Sequence, residues 1–195
     1  KEVLARNTQT GEERVFPYDA LILAQGGKPF VPPIPGADRE HVFQLWTLED
    51  MDRIDSYLNE NELQSAVVVG GGFIGLEMME ALAKRDLSVS LVEMEKQVMP
   101  NLEGEFAGFI TKELQDFGVS LYLGRSLEAI GDSDVSLSGG EQVAADFVLL
   151  SVGVRPTLVL AKEAGLKIGE AGGLLVDEGL RTSDPSIFAA GDMVE

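Results

Sequence analysis

Residues 65–82 read SAVVVGGGFIGLEMMEAL, and the predicted fold follows from this stretch. The apolar run 66–69 is rich in β-branched side chains, which predicts a buried strand of a parallel sheet. A glycine-rich turn follows, and residues 76–82 then predict an amphipathic helix. A strand that turns into a helix through such a loop directs unpaired backbone N–H groups towards one point, where an anion can bind.

The turn has the spacing G-x-G-x-x-G, with glycines at Gly70, Gly72 and Gly75. In a βαβ unit the first glycine permits the tight turn, the second lets a pyrophosphate approach the backbone, and the third lets helix and strand pack closely. We therefore predict a dinucleotide site along the turn, which consists of Gly70, Gly71, Gly72, Phe73, Ile74 and Gly75.

An acidic residue follows at the spacing that such a site requires. Residues 88–92 predict the next strand, and Glu93 stands at its end, 18 residues after Gly75 (75 to 93). In dinucleotide-binding folds an acidic side chain about 20 residues beyond the glycines accepts hydrogen bonds from the adenosine ribose. The alternative is a tight strand-to-helix connection with a solvated glutamate. The complete strand–turn–helix–strand context favours the dinucleotide site.

The composition excludes several other kinds of site. The chain has 195 residues and a formal net charge of -18, which repels nucleic acid and anionic membranes. Cysteine is absent and His41 is the single histidine, so we expect no disulfide, no metal site and no cysteine nucleophile within these residues. We expect His41 to be solvated or packed. No apolar run approaches the length of a membrane helix. Because the chain starts at Lys1 within strand-like sequence, we expect it to be part of a longer protein.

The remaining pattern predicts an α/β protein. Four prolines within residues 29–35 predict a stiff connector and a domain boundary. Helices are predicted from an N-cap at Thr47 to about residue 58, and at 103–117 and 158–164. Strands are predicted at 2–7, 14–16, 20–24, 119–123, 146–152, 174–177 and 187–192. The short segments 127–130, 135–137 and 142–143 predict a small antiparallel meander.

Several motifs, in order, resemble the FAD-dependent pyridine nucleotide-disulfide oxidoreductase family. They are YDALILAQG at 18–26, VGGGFIGLE at 69–77, SVGVRPT at 151–157 and TSDPSIFAAGD at 182–192. The glutamine and glycines at 25–27 depart slightly from the family pattern. Within the family, PPIPGAD at 32–38, LEDMDRI at 48–54 and GFIGLEM at 72–78 resemble the coenzyme A-disulfide reductase, NADH oxidase and NADH-dependent persulfide or polysulfide reductase branch.

The resemblance implies a fold and a domain order. The fold would be a Rossmann-like three-layer FAD/NAD(P)-binding fold, with a central parallel sheet, helices on one face and an antiparallel β-meander on the other. Residues 1–36 would be a partial FAD-domain segment, residues 37–156 the NAD(H)-binding domain, and residues 157–195 an incomplete return segment of the FAD domain. We also expect strands from the two ends of the chain to pair.

The resemblance also implies roles for individual residues. Phe73 would be a gating aromatic over the nicotinamide pocket, and Glu77 would approach the flavin–nicotinamide interface. Gly153 would let the nicotinamide side of the cofactor pass, and Asp192 would contact the ribityl chain of FAD. The alternatives are a core-packed Phe73, a surface Glu77 stabilised by the helix N-terminus, and a simple strand-end glycine. The redox cysteine and the dimerisation domain would lie outside residues 1–195, so no catalytic cysteine is expected here.

The implied parent is a cytoplasmic, homodimeric enzyme in which NADH passes hydride to FAD for reduction of a small disulfide, persulfide or polysulfide. Members that use NADPH place arginines just after the strand that ends at the acidic residue, and residues 94–97 read MEKQ, so NADH is expected. FAD is expected in the full-length protein but not on these residues alone. The alternatives are an NADH oxidase or peroxidase, a rubredoxin- or ferredoxin-reductase-type flavoprotein, and a non-catalytic NADH-sensing module.

Overall fold

The computed structural model describes all 195 residues of the chain, which form fourteen strands and four helices. The strands are β1 (Glu2–Arg6), β2 (Glu13–Pro17), β3 (Leu21–Leu23), β4 (Gly27–Pro29), β5 (Val42–Phe43), β6 (Ser65–Val69), β7 (Ser88–Glu93), β8 (Ser120–Leu123), β9 (Leu127–Ile130), β10 (Asp134–Leu137), β11 (Gln142–Ala144), β12 (Phe147–Leu150), β13 (Val154–Pro156) and β14 (Ile187–Ala189). The helices are α1 (Leu48–Glu60), α2 (Phe73–Ala83), α3 (Gly104–Asp116) and α4 (Val159–Glu163). None of them has the length and hydropathy of a bilayer-spanning helix.

The chain divides into two compact units. The larger unit is Pro29–Gly153, and the smaller unit combines Lys1–Lys28 with Val154–Glu195. These boundaries fall earlier in the chain than the expected boundaries after residues 36 and 156. The assignment of the two units to NAD(H) and FAD stays a prediction.

The larger unit is built on a five-stranded parallel sheet with the order β5-β12-β6-β7-β8. The central strand β6 pairs with β12 on one side and β7 on the other, so that Val67 lies between Val148 and Ser90. Sequence analysis identified four of these strands and missed β5, which has only two residues. All five strands share one direction, so their carboxyl ends meet at one edge of the sheet.

Each face of this sheet is covered by a different layer. Side chains at alternate positions of β6 and β12 pack on α1, α2 and α3, and this cluster includes Ala66, Val68, Leu149, Ile54, Met79 and Leu82. The other positions pack on the antiparallel strands β9, β10 and β11, and this cluster includes Val67, Val69, Val148, Val135, Leu137 and Val143. The expected three-layer fold is confirmed.

The helical layer begins at α1, where the predicted N-cap is confirmed. The side chain of Thr47 accepts a hydrogen bond from the backbone N–H of Asp50, whose carboxylate accepts one from the backbone N–H of Thr47. In α3, Ile110 and Leu114 pack on the sheet, whereas Phe106 and Phe109 lie largely in solvent. The apolar spacing therefore predicted the helix correctly but overstated the width of its buried face.

The antiparallel layer is the predicted meander, with the order β11-β10-β9. The proline-rich connector packs on it. The backbone N–H of Ile130 donates to the carbonyl of Pro35 over 2.9 Å, and Nε of Arg39 donates to the carbonyl of Ile130 over 3.0 Å. A Cβ at Gly36 would lie 2.0 Å from the same carbonyl oxygen, so only glycine permits this approach.

In the smaller unit, strands from the two ends of the chain pair as expected. β3 pairs in parallel with β14, β1 and β2 form an antiparallel hairpin, and β4 pairs with β13. The core contains Leu23, Ala161, Leu174, Ala189 and Met193. The predicted strand at 174–177 is wrong, because Leu174 makes only isolated bridges to Ile168 and Val194. Hydrogen bonds to neighbouring turns replace a continuous ladder there.

The side chain of Asp146, just before β12, is hydrogen-bonded to the start of β6. Its carboxylate accepts hydrogen bonds from the backbone N–H groups of Gln64 over 3.0 Å and Ser65 over 2.9 Å, and from the hydroxyl of Ser65 over 2.8 Å. The hydrogen bond from Gln64, aided by those from Ser65, holds the pKa of Asp146 below its usual value against the opposing effect of burial.

We predict that Asp146→Asn lowers the free energy of unfolding at pH 7 by about 1–3 kcal/mol, because a charged acceptor of three donors is lost. The lowered native pKa means that this contribution is present above the unfolded value of 3.8 and is lost as the pH falls through the native value. Urea unfolding at pH 7 and pH 3.5 measures both effects. Asp132→Asn is the matched control, since Asp132 is exposed and its ion pair with Arg39 contributes about 1 kcal/mol at most. Equal destabilisation by both variants would contradict the prediction.

His41 is buried at the start of β5 rather than solvated, and its Nε2 has no hydrogen-bond partner. Burial, with a smaller effect of Arg39, lowers the pKa of His41, although Asp132 and Asp146 act in the opposite direction. Packing was one of the two roles expected for this residue.

We predict that His41 makes the protein less stable as the pH falls below about 6.5, because the unfolded chain then binds a proton that the native imidazole resists. Each unit by which the native pKa is lowered corresponds to about 1.4 kcal/mol. The free energy of unfolding should therefore fall more steeply between pH 7.5 and pH 5.5 in the wild type than in His41→Gln, which cannot titrate. Parallel pH profiles for the two proteins would refute this role.

Candidate dinucleotide site

The turn after β6 requires a glycine at its first position. Gly70 has a φ of +106°, which lies in the left-handed region, and its N–H donates to the carbonyl of Val92 over 2.8 Å. A Cβ at this position would lie 2.2 Å from the carbonyl oxygen of Ser151, which follows β12. Gly70 therefore permits close contact between the ends of three neighbouring strands.

The first turn of α2 follows immediately and is open. The helix begins at Phe73, and its N-cap, Gly72, provides no side-chain hydrogen bond. The N–H of Leu76 donates to the carbonyl of Gly72, and the N–H groups before it have no partner four residues earlier within the helix. A Cβ at Gly72 would meet no atom within 4 Å. The predicted helix start at residue 76 is wrong by one turn, because residues 73–75 already form the first helical turn.

Gly75 serves close packing. A Cβ at this position would lie 2.0 Å from the carbonyl oxygen of Gly70 and 3.4 Å from Cγ1 of Val68. The helix can therefore lie directly against the strand that precedes it. The three glycines have different surroundings, since Gly70 and Gly75 are enclosed by backbone while Gly72 faces open space.

Glu93 ends β7 beside this turn, and it is not a solvated surface residue. It is 9% exposed, Oε2 accepts a hydrogen bond from the N–H of Gly71 over 2.6 Å, and Oε1 accepts one from the N–H of Glu95 over 2.8 Å. A carboxylate oxygen has two lone pairs, so each oxygen can still accept a hydrogen bond from a ligand hydroxyl. The alternative of a solvated glutamate is therefore wrong.

The segment after Glu93 packs back on the turn through Met99, a residue that sequence analysis missed. The N–H of Met99 donates to the carbonyl of Gly71 over 2.8 Å, and its side chain is buried. Its φ of +48° is unusual for a residue other than glycine. No feature of a single sequence signals a methionine in this conformation. Met94, in contrast, is largely exposed directly after Glu93.

Phe73 and Glu77 lie one turn apart on α2 and therefore on the same face of the helix. Phe73 is 72% exposed, so the alternative of a core-packed phenylalanine is wrong. Glu77 is also exposed, and it lines an apolar groove of about 440 Å³ between α2 and α3 together with Leu76, Ala83, Leu114 and Phe117. Ile74 is 41% exposed at the start of the same helix.

Gly153 lies two residues beyond Ser151 at the end of the larger unit, where its carbonyl accepts a hydrogen bond from the N–H of Phe30 over 2.9 Å. Its φ is +98°, and a Cβ would meet no atom within 4 Å. Asp192 belongs to the smaller unit and is exposed directly after Gly191, which has a φ of +85°. The same unit contains Thr157, whose hydroxyl is buried without a hydrogen-bond partner and which sequence analysis did not single out.

Comparison with known proteins gives matches over the whole chain. Residues 1–195 match the family model described as pyridine nucleotide-disulphide oxidoreductase. An NADH oxidase of Methanocaldococcus jannaschii is 42% identical over 189 residues, which are 95% of this chain and 42% of that protein. A NAD-dependent persulfide reductase from A. fulgidus has a TM-score of 0.90 at 36% identity, covering 99% of this chain and 38% of that chain.

An engineered water-forming NADPH oxidase, derived from the Lactobacillus brevis NADH oxidase and bound to NADPH, has a TM-score of 0.92 at 28% identity. The match covers 100% of this chain and 43% of that chain. The chain thus spans about two fifths of the length of these proteins. Because the family model matches every residue and the three-layer fold agrees, the chain belongs to the pyridine nucleotide-disulphide oxidoreductase family.

Proposed function

We propose that the larger unit binds NADH and that, in the complete protein, hydride from this NADH passes to FAD and reduces a small disulfide, persulfide or polysulfide. The observation that carries this proposal is the open helix N-terminus at Gly72 beside the buried carboxylate of Glu93. The name of the A. fulgidus relative combines NAD dependence with persulfide reduction and supports the same reading.

The turn fits a pyrophosphate. The N–H groups of the first turn of α2 have no helical partners, and they are directed out of the helix end together with the positive end of its dipole. The absence of a side chain at Gly72 leaves the approach clear. Since the chain carries a net charge of -18, these local dipoles must provide the attraction.

The residues proposed to face the adenosine ribose favour NADH over NADPH. Glu93 can accept hydrogen bonds from two ribose hydroxyls, whereas a 2′-phosphate beside it would be repelled. Glu95 adds a second negative charge nearby, and Lys96 is the one basic residue in segment 94–97. A preference for NADH requires that the repulsion of a 2′-phosphate by Glu93 exceed its attraction by Lys96.

The engineered NADPH oxidase gives independent support for this preference. As its name records, a glycine was replaced by alanine, an aspartate 18 residues later by alanine, the next residue by arginine, and a proline 25 residues after the glycine by arginine. This chain has Gly75, an acidic residue at Glu93 (75 to 93) and Pro100 (75 to 100) at the same spacings. It therefore carries the residue types that were removed to obtain the NADPH oxidase, and Met94 where arginine was introduced.

At the nicotinamide end, we assign Phe73 as the gating aromatic and Glu77 as the residue at the flavin–nicotinamide interface. Their exposure on one face of α2 leaves both side chains free to contact a cofactor. Gly153 leaves space for the cofactor to pass close to the backbone. Bound NADH would supply the hydride, and these residues would orient it.

FAD would contact the smaller unit. Asp192 offers an exposed carboxylate for the ribityl hydroxyls, Gly191 has no atom within 4 Å of a Cβ position, and the buried hydroxyl of Thr157 lacks a partner. We expect little or no FAD on the 195-residue chain alone, since residues 1–36 and 157–195 are proposed to be incomplete segments of the FAD domain.

A second candidate function is reduction of oxygen or peroxide. The observation that favours it is the name NADH oxidase carried by the M. jannaschii relative. Both candidates use the same NADH site, and they differ in the group that FAD reduces. Residues 1–195 contain no cysteine, so a redox cysteine would come from another part of the protein.

We predict that the chain binds NADH at least about tenfold more tightly than NADPH, a difference of about 1.4 kcal/mol, because the 2′-phosphate meets the carboxylate of Glu93. Isothermal titration of the wild type with each nucleotide measures the ratio. A preference for NADPH would mean that Lys96 or another basic residue outweighs Glu93. Absence of binding by both nucleotides would reject the dinucleotide site.

We predict that Gly72→Ala weakens NADH binding by about tenfold or more, because a methyl group occupies the approach of the pyrophosphate. Its unfolding temperature should stay close to that of the wild type, since a Cβ meets no atom within 4 Å. Gly70→Ala is the contrasting variant and should destabilise the fold by about 1–3 kcal/mol, because of its positive φ and the contact with Ser151. Titration calorimetry and thermal unfolding separate the two effects. Unchanged NADH affinity in Gly72→Ala would argue against phosphate binding at this turn.

A further inference from the structure

We propose that Glu93 is a positioning residue as well as a ribose contact: its carboxylate fastens the phosphate-binding turn to the segment after β7 before any nucleotide binds. This inference rests on the proposed function for its consequences in binding. Its structural part concerns only the nucleotide-free chain.

The contacts of the carboxylate connect two separate segments. One oxygen accepts the N–H of Gly71 in the turn, over 2.6 Å, and the other accepts the N–H of Glu95, over 2.8 Å. Glu93 is 9% exposed, and in such a largely buried setting charge-assisted hydrogen bonds are stronger than in water. A Cβ at Gly71 would lie only 3.2 Å from Oε2 of Glu93, so the absence of a side chain there is part of the same arrangement.

A second hydrogen bond involves the carbonyl of Gly71. Its carbonyl accepts the N–H of Met99 over 2.8 Å, and the Cα of Val98 lies 3.4 Å from the position of a Cβ at Gly71. The N–H and the carbonyl of Gly71 are thus both bound by the segment that starts at Glu93. Because Gly72 follows directly and caps α2, this fixes the direction in which the first turn of the helix presents its N–H groups.

The Glu93 carboxylate makes both bonds because it has an acceptor oxygen for each N–H. Two N–H donors need an acceptor on each oxygen, and glutamine provides an acceptor at one position and an NH₂ donor at the other. Glu93→Gln would therefore set a donor against a donor at either Gly71 or Glu95. Glu93→Ala removes both acceptors and leaves both N–H groups without a partner.

Cofactor choice follows from this arrangement. A neutral residue at position 93 removes the repulsion of a 2′-phosphate, but it also loosens the turn that both nucleotides need. Glu93→Gln and Glu93→Ala should consequently weaken NADH and NADPH together. If Glu93 were a ribose contact alone, these variants would lose NADH affinity while NADPH affinity stayed the same or rose.

The first measurement uses the nucleotide-free wild type and needs no variant. We expect the Gly71 amide to exchange its hydrogen at least about 100-fold more slowly than the Gly72 amide in NMR hydrogen-exchange spectra, because it is held by Glu93. Equal exchange rates at the two amides would overturn the proposal, whatever the nucleotide titrations give.

The second measurement compares Glu93→Gln and Glu93→Ala with Glu128→Gln, a matched loss of one charge at an exposed position of β9. We expect the position 93 variants to lose protection of the Gly71 amide and to bind both NADH and NADPH at least about tenfold more weakly, while Glu128→Gln changes neither. Unchanged protection of Gly71 with a loss confined to NADH would overturn the positioning role. If the wild type binds neither nucleotide, the proposed function fails, and the exchange measurements still decide the structural part.

Discussion

The burial of β6 on both faces is the constraint on which the larger unit depends. Residues 66–69 have at most 6% of their surface exposed, because the helical layer covers one face and the meander the other. An unpaired polar side chain along such a strand would be costly, so the end of the strand is the better place for binding groups. The parallel neighbours β7 and β12 end at the same edge, and this brings Glu93 and Ser151 next to Gly70.

Under the proposed function, the turn after β6 provides an attraction for an anionic ligand that the chain as a whole lacks. A net charge of -18 repels an anionic ligand at long range, so binding must rely on backbone dipoles that act over a few ångströms. Backbone N–H groups can bind a ligand only if no side chain blocks its approach, and Gly72 has no side chain. Gly70 and Gly75 meet a different demand, since backbone atoms lie within 2.2 Å of their Cβ positions. The motif thus combines two functions: Gly70 and Gly75 permit dense packing, and Gly72 leaves the helix N-terminus open.

Sequence analysis predicted the parts of the structure that depend on local patterns. The strand–turn–helix unit and the N-cap at Thr47 follow from spacing and residue type, and the position of Glu93 at the end of β7 follows from its spacing after Gly75. The three-layer fold was implied by the family resemblance. Features that depend on neighbours distant in sequence were not predictable. The two-residue strand β5 has no periodicity of its own, and the strand expected at 174–177 is replaced by single bridges.

Burial was also harder to predict than secondary structure. Phe73 and Phe109 both lie in helices and are largely exposed, because helical spacing places a side chain on a face without revealing what covers that face. Glu93 shows the opposite case. It is buried, and its carboxylate accepts hydrogen bonds from the N–H groups of Gly71 and Glu95, which no sequence pattern predicts. The roles assigned to the site residues therefore rest on the geometry of the turn, and the sequence motif identifies only their positions.

The same geometry makes nucleotide affinity and cofactor choice interdependent on the model of binding proposed above. Gly71 is bound through its N–H by Glu93 and through its carbonyl by Met99, so two hydrogen bonds connect the glycine-rich turn to the segment after β7. The engineered NADPH oxidase was changed at five positions, and their spacings correspond here to the helix at Gly75, to residues 93–95 and to Pro100. Those positions span both segments. On the proposed role of Glu93, a change of cofactor preference would require adjusting the turn together with the charge beside the ribose, because one carboxylate would serve both.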